Sequence, residues 1–314
     1  MGVRTWVKSA ELQVGSRMSS ARPTLVAYGN CQAEAVAKIL ARYPDVNDRF
    51  RVVRIPAVHE MRPRDIPAVQ RHVAQAGLIV TQPVSDGYRG LPLGTREMLD
   101  IAPSSARVVT FPSIQFSGLH PYLAAVHHGA DRVAVPAPVV HYHDLRFVAA
   151  AARGLRGREA EQFVARFESD PDELRANAEA SAERLAAQES EVDVQVASLL
   201  EPMTWDLMWT NNHPSNRLLM PVVDAVLLAA GIGPVPVPSI VEQLQFVVAP
   251  LRADVSAALG LPVVRTGWRV MGREIRDAEL LAAHLDFYAA QPDLLAAAVR
   301  EHGVKLERWG MVAA

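Results

Sequence analysis

From Thr24 the chain reads TLVAYGNCQAEAVAKILARYP: a short apolar run, a Gly-Asn turn, then Val36, Ile39 and Leu40 spaced along one helix face. That order predicts strand, tight turn and helix. Apolar runs rich in Val and Ile return at 51–58 (RVVRIPAV), 77–84 (GLIVTQPV), 106–114 (ARVVTFPSI) and 131–139 (DRVAVPAPV). Runs of this length, separated by helix-length or loop segments, predict an α/β fold whose parallel sheet carries helices on both faces.

After about residue 144 alanine, glutamate and arginine rise and strand-like runs become scarce, which predicts a helix-rich C-terminal half. Asp170-Pro171-Asp172-Glu173 supplies a capping carboxylate, a proline for the first helical position and first-turn acids, so a helix is expected from there towards Ser190. Further helices are expected over 193–200, 215–230, within 241–251, and over 278–290 and 293–299, with the GIGPVPVP tract from Gly231 as a rigid linker. The organisation expected is a flexible extension or start-site artefact over 1–22, to which no role is given. An α/β region then spans 23–145, and a mainly helical region, 146–314, packs with it as one unit.

Composition narrows the classes of function. A chain of 314 residues, 50% of them hydrophobic, can bury a large core, which argues against disorder. The net charge of −2, with acids and bases interspersed, gives no electrostatic footprint for nucleic acid or an anionic membrane. A single cysteine cannot form an internal disulfide. The first twenty residues lack the apolar core of a secretory signal, and the most apolar stretch, 221–230, is interrupted by Asp224. These features lead to the expectation of a cytoplasmic protein acting on small molecules.

In an open parallel sheet, ligands bind beyond the carboxyl ends of the strands, so the loops that follow the apolar runs are where chemistry is expected. They read Gly29-Asn30-Cys31-Gln32, then 82–90 with Gln82, Asp86, Tyr88 and Arg89, then 112–120, then His141-Tyr142-His143-Asp144. At a strand-to-helix turn, helix-start amides would lower the pKa of the Cys31 thiol and make it a nucleophile; the plainer alternative is a small buried side chain. Such a thiol needs a base. Among ten histidines, His213 in the loop Thr210-Asn211-Asn212-His213-Pro214-Ser215-Asn216 is the best placed, although that segment also reads as a well-capped turn. Arg89, between Gly87 and Gly90, could grip a phosphate or carboxylate, or simply be an exposed solubilising residue. His141 and His143 lie two apart on an extended segment beside Asp144, yet no further ligand at a metal-site spacing stands out, so no metal is expected. The turn after the first strand is too poor in glycine for a dinucleotide or Walker loop.

Gly29-Asn30-Cys31-Gln32, Gln82-Pro83-Val84 leading to Asp86-Gly87-Tyr88-Arg89-Gly90, and Asn212-His213-Pro214 together resemble the WcbI family of polysaccharide biosynthesis enzymes. The segment 112–121, His143-Asp144 and Leu285-Asp286-Phe287-Tyr288 are also similar, extending the likeness over about residues 24–298. The resemblance implies a coenzyme A-binding acetyltransferase in capsule assembly, with acetyl-CoA as co-substrate and a sugar-like or natural-product hydroxyl as acceptor. It implies Cys31 as nucleophile and His213 as base, with Asn30, Gln32, Gln82, Asp86, Tyr88, Arg89, His143, Asp144 and Asn212 around the oxyanion and substrate, and Gly29 and Arg89 at the cofactor. The strand–turn–nucleophile arrangement is also similar, more loosely, to SGNH-type hydrolases and transferases, with cysteine in place of serine. The Asp-x-x-His of those enzymes is missing around His213, so Asp86 and Asp144 stand as alternatives for the third member of a triad.

Two other readings stay open on sequence alone. One is a thiol hydrolase at the same Cys31–His213 centre, with water as acceptor. The other is a non-catalytic CoA- or carbohydrate-binding protein in which Cys31 is structural.

Overall fold

Thr24–Tyr28 (β1) is buried at all five positions. A strand with neighbours on both sides and helices on both faces has no solvent side, which is why its sequence does not alternate with polar residues. It is central in a four-stranded sheet of order β2-β1-β3-β4, where β2 is Arg51–Arg54, β3 is Ala76–Thr81 and β4 is Arg107–Thr110. All pairings are parallel, running from Thr24↔Arg51 to Ala27↔Arg54, from Leu25↔Leu78 to Tyr28↔Thr81, and from Leu78↔Arg107 to Thr81↔Thr110.

The computed structural model describes residues 8, 12, 22–129, 133–233, 240–262 and 265–312. The sheet belongs to the first of two compact units, made of Met1–Ile114, Glu183–Pro202 and His213–Leu244. Its helices used below are α1 (Cys31–Leu40), α2 (Pro44–Arg49), α3 (Ile66–Val73), α4 (Thr95–Leu99) and α5 (Asn216–Ala229). On one sheet face Val26, Tyr28 and Ile79 pack with Ile66, Val69 and Val73 of α3. The alternate residues Leu25 and Ala27 turn to the other face. Helix α1 packs on β1 and β2, and α5 packs on α1 and β4. Each fully buried Val, Leu or Ile in this core contributes roughly 1.5–3 kcal/mol of transfer free energy.

The second unit comprises Gln115–Ala182, Met203–Asn212 and Gln245–Ala314. It holds the helices Leu145–Ala152, Gly157–Arg166, Ala253–Ala258, Asp277–Ala290 and Pro292–Arg308, and an antiparallel sheet of Val247–Val248, Trp268–Val270 and Arg273–Ile275. The Asp144 carboxylate caps Leu145–Ala152 through Arg146 N–H at 2.9 Å and accepts from the fully buried Arg146 guanidinium, Nη2 at 2.6 Å and Nε at 3.0 Å. Among the described residues no helix is long and apolar enough to cross a membrane.

The mixed α/β class, the parallel sheet and the C-terminal helices match expectation, and the Asp170-led helix runs over Pro171–Gln188, with Asp170 Oδ1 accepting from Asp172 N–H at 2.8 Å. Three elements differ. The run 131–139 adds no parallel strand: Val133–Ala134 pairs antiparallel with His127–His128, and Pro136 and Pro138 supply no amide for a longer ladder. The segment 193–200 is helical only as a short turn at Ala197–Leu200. Asp193 instead takes both Thr110 N–H and Thr110 Oγ1 onto its carboxylate at 2.8 Å, and its own N–H and that of Val194 bond to Thr110. Within 241–251 there is no helix either, because the β-branched Val247–Val248 pairs with Arg269 and Val270. Most of the expected extension 1–22 and of the proline tract after Gly231 lies outside the described residues.

Candidate active site

Cys31 is the first residue of α1, directly beyond the carboxyl end of β1. With strand order β2-β1-β3-β4, the chain passes from β1 to β2 on one side and from β2 back across β1 to β3 on the other, and the gap between the ends of β1 and β3 is the switch point where open α/β sheets hold ligands. The turn that aims Cys31 there requires glycine: Gly29 has φ 152°, and a Cβ on it would lie 2.4 Å from Gln82 Oε1.

A ring of amides fixes the turn. Asn30 caps α1 by accepting from Gln32 N–H at 2.8 Å, its Nδ2 donates to Ser113 Oγ at 2.9 Å, and its backbone N–H donates to Gln82 Oε1 at 2.9 Å. Gln82 Nε2 donates to Gln32 Oε1 at 2.9 Å and to Pro112 O at 3.1 Å. Gln32 in turn accepts from Ile114 N–H at 2.9 Å and donates to Ile114 O at 2.7 Å. Gln32 and Gln82 are buried, and both amide hydrogens of Gln82 are spent inside the ring. They hold the ends of β1, β3 and β4 in register around the thiol.

The thiol is partly buried. The expectation of a lowered pKa is overturned: burial and then the Glu34 carboxylate push the Cys31 thiol up to about 11, against a smaller opposite pull from its own backbone N–H. A helix start is a weak field beside the loss of water. His213 lies in the short strand His213–Pro214, just ahead of α5, whose first turn Ser215 caps by accepting from Arg217 N–H at 3.2 Å. Burial, and then the neighbouring His59, push the His213 imidazole down to about 4. At neutral pH the Cys31 side chain is therefore a thiol and the His213 imidazole is neutral.

Around the turn the structure adds residues that the sequence reading missed. His59 and Glu60 lie in the short turn Val58–Glu60 after β2, and Val58 N–H donates to Gly29 O at 2.9 Å, which sets that turn against the Cys31 turn. Glu34, one turn into α1, is buried and gathers Lys8 Nζ at 2.6 Å, Arg54 Nη2 at 2.7 Å and Lys38 Nζ at 3.3 Å. The signal that could have found His59 and Glu60 was position, since 55–60 follows a strand end like the loops that were inspected.

Of the other expected site residues, Asp86, Tyr88 and Arg89 lie in the loop after β3 within the first unit. Asp86 pairs with Arg96, and Tyr88 packs partly against the core. Arg89 takes the left-handed conformation, φ 57°, and its guanidinium donates to His59 O. Asn212, His143 and Asp144 belong to the second unit. Asn212 Oδ1 accepts from Tyr142 Oη at 2.6 Å. His143 is fully buried with both ring nitrogens engaged: Nδ1 meets Tyr288 Oη at 2.5 Å, and Nε2 lies 2.8 Å from Val135 O, so Nε2 carries the proton. Among the described residues no group of three or more His, Cys, Asp or Glu side chains is arranged to hold a metal ion.

Fold and site define an α/β protein with a cysteine at the switch point of a parallel sheet. The chain belongs to the family described as polysaccharide biosynthesis enzyme WcbI, which it matches over residues 24–235. Among solved structures it is similar to one described as WcbI, a novel polysaccharide biosynthesis enzyme, in a native form without a disulfide between CoA and a cysteine of that protein. The TM-score is 0.71 at 18% identity, covering 89% of this chain and 98% of that one, which makes the likeness one of fold. No protein of curated function matches the chain in sequence.

Proposed function

We propose that this member of the family is a CoA-dependent acyltransferase of the cytoplasm, most simply an O-acetyltransferase, that moves an acyl group to a hydroxyl of a sugar or glycosylated acceptor. The observation that carries the reading is Cys31 at the switch point, held by a turn that the side-chain amides of Asn30, Gln32 and Gln82 fix in position. A structural cysteine needs no such frame. Acyl-CoA supplies an activated thioester, and exchange onto another sulfur is close to neutral in energy, while transfer onward to an alcohol is downhill.

In this reading the neutral His213 imidazole takes the Sγ proton as the sulfur attacks the thioester carbonyl, then hands it to the departing CoA sulfur, leaving acyl-Cys31. His213 next takes the proton of the acceptor hydroxyl, whose oxygen attacks the acyl carbon, and it returns that proton to Sγ as the product ester leaves. Placing the carbonyl beside the first turn of α1 directs helix-start amides at the developing oxyanion. For the phosphates of CoA the residues offer a fitting donor: Arg62 is partly buried after β2, and its Nε has no hydrogen-bond partner among the described residues.

The test is calorimetric titration with CoA and acetyl-CoA, with Cys31→Ala alongside, followed by intact-mass analysis after mixing with acetyl-CoA. Saturable micromolar binding, with an acetyl adduct on the native chain that Cys31→Ala lacks, supports the reading. Folded protein that binds neither ligand overturns it.

A further inference from the structure

Lys8 lies ahead of the family match, which begins at residue 24, yet its ammonium reaches the Cys31 turn. Nζ donates to Glu34 Oε2 at 2.6 Å and to Glu60 Oε2 at 2.8 Å, joining α1 to the turn that carries His59. Leu12, four residues on, is buried in the core on the α3 side of the sheet, and its carbonyl lies 3.3 Å from His72 Nε2. The anchor and the ammonium are thus both fixed points of the first unit.

The two carboxylates differ in their dependence on Lys8. Glu34 keeps Arg54 and Lys38 if Lys8 is lost. Glu60 has Lys8 as its only side-chain partner among the described residues. Without the ammonium, Glu60 would stand uncompensated beside the thiol, and the His59 turn would lose one of its ties to α1, retaining the Val58 N–H bond to Gly29 and the Arg89 bond to His59 O.

We propose that Lys8 is a positioning residue of the acyl-transfer site, an ammonium brought from outside the family core to clamp the His59 turn onto the Cys31 helix and to cancel the Glu60 charge beside the thiol. This rests on the reading of Cys31 as the acyl acceptor. The charged groups that act on the thiol are Glu34, Glu60 and Lys8; behind them, Lys38 on α1 and Arg54 on β2 face Glu34, Arg89 after β3 faces His59, and His59 faces His213 ahead of α5. Glu34 and Glu60 hold the Cys31 proton on, and Lys8 works against them. Burial opposes the charge on Lys8 itself, but the two carboxylates outweigh it and raise its pKa.

Because Cys31 is the single cysteine, alkylation by iodoacetamide followed by intact mass against pH reads this thiol alone. Lys8→Met should displace the profile upward by about half a pH unit, a roughly threefold slower alkylation at fixed pH on the alkaline limb. Lys8→Arg should restore it, and so should Glu60→Gln placed in the Lys8→Met chain. Glu60→Gln alone should displace the profile downward, which keeps the test in force if Lys8→Met folds poorly. A Lys8→Met profile that superposes on the native one, or a displacement that persists after Glu60→Gln, overturns the proposal. Native protein that shows these displacements but never forms an acetyl adduct overturns the acyltransferase reading and leaves the Lys8 result intact.

Discussion

Asn30 and Gln82 meet across the ends of two adjacent parallel strands, the backbone N–H of the first donating to the side-chain oxygen of the second at 2.9 Å. The bond orients the residue immediately before the nucleophile candidate from a different strand, so the angle at which Cys31 leaves β1 depends on β3.

Replacing Gln82 by leucine should therefore cost both stability and function. The substitution strips Asn30 N–H, Gln32 Oε1 and Pro112 O of a partner in a buried place, a loss of about 3 kcal/mol. Urea unfolding of the variant checks the figure. A stability within 0.5 kcal/mol of native, on the order of an ordinary surface substitution, would mean that the ring is dispensable.

Alkylation of native Cys31 should keep accelerating with pH beyond 9 towards about 11, since burial and Glu34 hold the proton on the sulfur. Rates of iodoacetamide labelling from pH 6 to 10.5 test this. A plateau reached below pH 8 would show a thiolate already formed in the free protein, and the proton-transfer step assigned to His213 would have to go.

Three buried histidines should make the protein sensitive to acid. Burial pushes His120 down to about 3, and His213 and His284 down to about 4. In the unfolded chain each titrates near the ordinary value of roughly 6.5, so below that pH the unfolded state binds more protons than the folded one. The stability that these groups contribute is complete above about pH 6.5 and is lost as pH falls towards about 4. Melting temperatures should decline steadily from pH 7 to 4.5. A flat profile over that range would contradict the burial of these rings.

Arg146 should tolerate no truncation. Its guanidinium is fully buried on Asp144, so Arg146→Ala leaves a carboxylate alone in the interior at a cost of about 3–5 kcal/mol. Asp144→Leu combined with Arg146→Leu should lose less than Arg146→Ala, because no charge is then stranded. Chemical denaturation of the three proteins separates the outcomes, and equal losses would assign the effect to packing instead.

The four sheet strands were legible because unbroken Val- and Ile-rich runs have few alternatives, and the helix after Asp170 because its capping carboxylate and proline sit side by side. Two of the three misplaced elements share a cause. Asp193 and Val247 are held by partners far along the chain, Thr110 and Val270, which local pattern does not name. At the site, the residue types at 29–32, 82 and 213 marked where chemistry could lie, but whether an amide faces a ligand or a neighbouring amide is decided by tertiary contacts. Gln82 shows this, since its side chain is committed to Asn30, Gln32 and Pro112. The sign of the Cys31 shift was misjudged for the same reason: the helix start is visible in sequence, and the desolvation that outweighs it is not.

The first unit is assembled from three separate stretches of chain, and Cys31 and His213 come from the first and the last of them. During synthesis, at roughly 5 to 20 residues per second, the cysteine emerges tens of seconds before the histidine. A nascent chain thus carries Cys31 without His213, and any continuous fragment that contains both spans at least residues 31–213, well over half of the protein. The first unit can close only after its third stretch, which begins at His213, has been made.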